Sequence, residues 1–180
     1  MGKAGVRGEP ATGEMDLKDL DALCEILGSH TADRRRCYFG LSTILGWQKS
    51  IAPEELKPLL RLPLGRDYIV LAGALSDVDG IIRDWAKANS DHGKLVARKG
   101  NGPPPSRPHF DWRVREAPNL IWPADHAWLL VSEVDFDSTL VGGSVELIQA
   151  IVESPALEAW AVEPTTSLAA DADKINAPSL

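Results

Sequence analysis

The stretch Pro118–Trp160, PNLIWPADHAWLLVSEVDFDSTLVGGSVELIQAIVESPALEAW, is the one from which the fold is read. It reads as a strand buried on two faces, an acidic strand end, a glycine turn, a capped helix and a short return strand. Side chains on a strand alternate between faces. From His126 to Phe136 the even set is His126, Trp128, Leu130, Ser132, Val134 and Phe136, mostly apolar throughout. The odd set opens with Ala127, Leu129 and Val131, then turns to Glu133, Asp135 and Asp137. One face is therefore core along its length, and the other is core first and wet at the end. That is the pattern of a central strand leaving the core.

Gly142-Gly143 permits a sharp change of direction, and Ser144 is placed to cap a helix over Val145–Glu153. Val145, Ile148 and Val152, with Ile151, form its expected buried stripe. Pro155 ends it, and Leu157–Val162 is expected to return as a strand.

Working outward, residues 1–15 are rich in Gly, Pro and Ala and read as a mobile arm. A first helix follows: Asp16 caps it, Leu17, Leu20, Leu23 and Leu27 (with Cys24) share a face, and Gly28 stops it. Cys37–Trp47 is dense in apolar and aromatic residues and reads as a buried strand or hairpin. Residues Pro53–Leu60 have room for one or two helical turns, limited by Pro58. Arg66–Leu71, closed by Gly73, is a strand, and Ser76 with Asp79 resembles a capping box ahead of Ile81, Ile82 and Trp85. From Asn89 to Arg107 repeated Gly and Pro leave a long loop, and the tail over 164–180 reads as loosely ordered. The expectation is a single globular domain over 16–163 of α+β class. Its sheet is mostly antiparallel, of about four or five strands, with two or three helices packed against it. Regular strand–helix alternation and a nucleotide fingerprint are absent, which disfavours a doubly wound parallel sheet.

Composition narrows the function. Hydrophobic residues are 44% and charged residues 25% of 180, an ordinary globular balance. A net charge of −7 argues against nucleic-acid and anionic-membrane partners, which need cationic neutralisation. No apolar run spans a bilayer, and two isolated cysteines, Cys24 and Cys37, fit a reduced cytoplasmic setting.

Glu133, Asp135 and Asp137 are the chemical candidates. Same-face strand neighbours lie about 6.6–6.8 Å apart at Cα, a spacing at which carboxylates can share a divalent cation or divide acid and base roles. The competing reading is a solvated strand end whose charge discourages edge pairing. Six tryptophans outnumber the five other aromatics. Most are expected in the core; Trp112 and Trp122, in Pro-flanked chain beside the long loop, are the candidates for a binding groove. The histidines form no HxH or HExxH pair, no serine sits in GxSxG, and Gly142-Gly143-Ser144 lacks the lysine of a phosphate loop. Arg34-Arg35-Arg36 reads as a solvated loop with a possible anion contact.

The segments RCYFG, LPLGRDYIVLAG, PNLIWPADHAW, SEVDFDSTLVGGS and PALEAW resemble, in the same order, a family of bacterial proteins from high-GC Gram-positive organisms with no established activity. The resemblance spans roughly Leu17–Val162. It implies a bacterial cytosolic single-domain protein and transfers no catalytic residue. The leading functional expectation is a non-enzymatic binding module for a protein partner or small ligand, without a cofactor. The alternative is a metal-assisted hydrolase at Glu133, Asp135 and Asp137 holding a divalent cation.

Overall fold

A computed structural model describes residues 15, 17–43, 59–62, 66–84, 117–133, 136 and 138–167. Its centre is a sheet of six strands, so the expected count of four or five is corrected upward. They are β1 (Cys37–Ser42), β2 (Leu59–Arg61), β3 (Asp67–Gly73), β4 (Leu120–Pro123), β5 (Trp128–Val131) and β6 (Leu140–Gly143). The spatial order is β2-β3-β1-β4-β5-β6, and every pair is antiparallel. Hairpin β2–β3 and meander β4–β5–β6 are thus two local units, and β1 is the seam that pairs with both.

Period-two alternation decides what each face carries. One row crosses the sheet as Leu71, Phe39, Ile121, Leu130 and Val141, residues paired strand to strand. Helix α1 (Leu17–Ser29), helix α2 (residues 78–84) and helix α3 (Val145–Val152) supply the apolar side chains that bury this row. Leu20, Leu23 and Leu27 come from α1, Val78 and Ile82 from α2, Leu147 and Ile151 from α3. The i, i+3, i+4 spacing of these leucines and isoleucines is what makes each helix one-sided.

Polar fasteners hold the helix layer in register. The Trp128 indole donates to the Leu27 carbonyl at 3.0 Å, filling an orphan acceptor at the end of α1. The Asp125 carboxylate, on the β4–β5 turn, accepts from Ala32 N–H at 2.6 Å, Thr31 hydroxyl at 3.0 Å and Ala127 N–H at 3.2 Å. Asn119 is buried; its carbonyl oxygen accepts from Ser42 N–H at 2.9 Å and its amide donates to the Ser132 carbonyl at 3.0 Å.

Several local expectations change. Strand β5 stops at Val131, so there is no single strand from His126 to Phe136; His126 lies in the preceding turn with φ 55°. Gly142-Gly143 is the end of strand β6, not a turn. Gly143 faces α3, and a Cβ there would meet Leu147 Cδ2 at 2.6 Å, so the bare backbone leaves room for the helix. Ser144 does cap α3, accepting from Leu147 N–H at 3.3 Å. The buried stripe of α3 is Leu147 and Ile151, while Val145 is 77% exposed, because the helix sits turned by about one position from the expected face. The cap ahead of α2 is Asp77 on Ala74 N–H at 2.8 Å rather than Ser76 with Asp79, and a 3-10 turn, Leu75–Asp77, precedes the helix. Leu157–Val162 is not a strand; it runs irregularly with Leu157 and Ala159 turned to the core. Of Pro53–Leu60, only Leu59 and Leu60 are among the described residues, and both belong to β2.

Candidate functional site

The second face of the sheet carries the opposite alternation. Its middle row is Val70, Gly40, Leu120, Val131 and Leu140. Gly40 lets Leu120 lie flat across β1: a Cβ there would meet Leu120 Cβ at 2.9 Å. Nearer one end, Tyr38 and Trp122 stack with ring centroids 5.5 Å apart. None of the three helices covers this face.

Its curvature follows from one contact. Tyr68 on β3 and Glu133 just past β5 are separated by β1 and β4, yet the Tyr68 hydroxyl donates to Glu133 Oε1 at 2.6 Å. Three strand spacings of about 4.8 Å exceed what two side chains bridge across a flat sheet, so the sheet curls with this face concave. Arg66, at the start of β3, forms an ion pair with Glu133 Oε2 at 2.7 Å. Both carboxylate oxygens are thereby held, one by a phenol and one by a guanidinium, and the glutamate side chain keeps 20% exposure. Burial, reinforced by the bond to Glu133, pushes the Tyr68 phenol well above its usual range, so it stays a neutral donor.

The concave face encloses a groove of about 610 Å³. Its apolar walls are Leu60, Leu62, Leu120, Trp122, Leu129 and Val131; Glu133 stands at one end and His126 at the other. The volume lies within the range of about 300–1,000 Å³ typical of small-molecule pockets. Ser42 occupies β1 on the same face, directly opposite Tyr68 in the ladder. It is buried, and its hydroxyl has no hydrogen-bond partner among the described residues.

The odd face of β5 was expected to be core at Leu129 and Val131; it is instead the wall of this groove, and Leu129 is 42% exposed. Trp122 lies on strand β4, not in irregular chain, and it lines the groove. Trp112, Asp135 and Asp137 lie outside the described residues. Glu133, the described member of the acidic trio, is engaged by Tyr68 and Arg66. No cluster of three or more potential metal ligands occurs among the described residues. Sequence reading missed Tyr68 and Arg66 as site residues. RDYIV reads as a strand signal, and nothing in it marks a partner on a strand three places away.

The remaining reactive groups are quiet. Cys24 and Cys37 are free thiols, and burial pushes Cys24 up to about 12 and Cys37 upward as well. Neither supplies thiolate at neutral pH. Arg35 pairs with Asp33 at 3.0 Å beside the other loop arginines. No helix among the described residues is long and apolar enough to cross a membrane.

No family model, curated protein or solved structure matches this chain.

Proposed function

We propose that the protein is a binding module for a small, largely apolar molecule held in the concave face of the sheet. The observation that carries this reading is an apolar groove of about 610 Å³ on a sheet face that the helices leave uncovered, with one fixed polar cluster at its end. Apolar walls give affinity through burial, and a few placed polar groups give orientation. Trp122 and its stacked neighbour Tyr38 supply flat aromatic surface at low entropic cost. Free, buried cysteines are in keeping with the cytosolic setting expected from the sequence.

The metal-assisted alternative has less behind it. Glu133 has both oxygens engaged, which leaves that reading to Asp135 and Asp137 alone.

The test is titration with a neutral, environment-sensitive dye such as Nile red. Saturable binding with blue-shifted emission is expected, and Val131→Lys, which places an ammonium on the groove wall, should abolish it. Linear, unsaturable uptake, or equal binding by Val131→Lys, would sink the reading.

A further inference from the structure

We infer that the groove selects a neutral molecule with a hydrogen-bond donor, of the aryl or alkyl alcohol class, over charged or donor-free analogues of the same shape. This rests on the groove reading above and adds the chemistry of the head group.

Three observations carry it. Glu133 is the acidic group lining the groove, and Arg66 balances its charge at 2.7 Å. Tyr68, protonated, adds no charge. That end of the groove is therefore electrically neutral before anything binds. A ligand carrying a net charge would bring it into low-dielectric surroundings without compensation, which burial penalises heavily.

The carboxylate also has unspent acceptor capacity. An ionised carboxylate offers about four lone-pair sites, and Tyr68 and Arg66 approach one oxygen each. A ligand O–H or N–H satisfies a further site; an ether or hydrocarbon cannot.

Ser42 supplies the third observation. Its buried hydroxyl, opposite Tyr68 on the same concave face, has no partner among the described residues. Buried polar groups left without a bond are costly, and such exceptions call for an explanation. A ligand hydroxyl can donate to Glu133 and accept from Ser42, so one small group answers both.

The experiment is calorimetric titration of the full chain at neutral pH with naphthol, methoxynaphthalene, naphthoate and naphthylmethylammonium. These share one apolar body and differ in the head. Naphthol is expected to bind about tenfold or more tighter than each of the others, the scale of one hydrogen bond to a charged acceptor. Glu133→Gln removes the anion but keeps the shape, so the end of the groove gains a positive charge from Arg66. Its preference should invert, with naphthoate now the tightest. Tyr68→Phe leaves the charge balance intact and should keep naphthol first, which provides a second reading if Glu133→Gln does not fold.

The outcomes separate the two levels. Binding of none of the four would overturn the groove itself and the inference with it. Equal binding of naphthol and methoxynaphthalene would leave the groove standing and overturn the donor requirement. Tighter binding of either ion by the unaltered protein would overturn the neutrality argument.

Discussion

Leu129 and Leu130 are consecutive, chemically identical and in opposite situations. Leu130 is fully buried beneath the helices, while Leu129 is 42% exposed on the concave face. One residue of chain separates the part of the molecule that holds it together from the part left open to a ligand. Hydropathy alone assigns both leucines to the core, since period-two alternation tells faces apart but not which face is covered. What covers a face is decided by distant elements, here α1, α2 and α3.

The strongest way to break this contrast is to truncate both leucines. Leu130→Ala should cost about 2–5 kcal/mol by cavity formation in a packed core. Leu129→Ala should cost about 1 kcal/mol or less, because much of its surface is already wet. Urea unfolding of the two variants measures both, and similar losses would mean the concave face is core after all.

Next in size is Asn119→Ala. It strands the Ser42 N–H and the Ser132 carbonyl at the junction of β1, β4 and β5, at about 1–3 kcal/mol for the buried groups left unpaired. The midpoint of thermal unfolding should fall, with little change in dye affinity if the groove is independent of this fastener.

The third prediction concerns pH and the helix side. Hydrogen bonds from Ala32, Ala127 and Thr31 hold the Asp125 carboxyl below its usual range. A depressed folded value means the stabilisation is fully present above the unfolded carboxylate value of about 3.9 and is lost as pH falls through the folded one. Unfolding followed from neutral pH down to acid should therefore show a shallower low-pH decline in Asp125→Asn than in the unaltered protein. An unchanged acid limb would mean the turn is not fastened this way.

The smallest expected effect sharpens the boundary of the helix layer. Val145→Ser, at a position 77% exposed, should shift stability by no more than about 0.5 kcal/mol. A larger loss would restore Val145 to the buried stripe that sequence periodicity assigns it.

The α+β class, helix α1, strands β1 and β3 and the Ser144 cap were all legible, because each rests on a local pattern: a leucine stripe, β-branched and aromatic runs, a hydroxyl before a helix. Strand β6 was not, since Leu140–Gly143 is short and its two glycines carry the ordinary mark of a turn. Strand β2 was hidden for the related reason that three residues are too few for a period to register. Within the site, Glu133 stood out as a carboxylate leaving a strand. Tyr68 and Arg66 join it through the curl of the sheet, a property of six strands together that no window of sequence contains.

The position of β1 between the hairpin and the meander bears on the order of folding. Hairpin β2–β3 and meander β4–β5–β6 are built from neighbours in sequence and can form early and separately. The β1–β4 ladder must join Gly40 to Leu120, so its loop-closure cost comes due before the reward. The rate-limiting event expected is the entry of β1 between two preformed units. Mutations along β1 such as Phe39→Leu should then slow refolding in proportion to their destabilisation, whereas those within the meander should mainly hasten unfolding if it is not part of the nucleus.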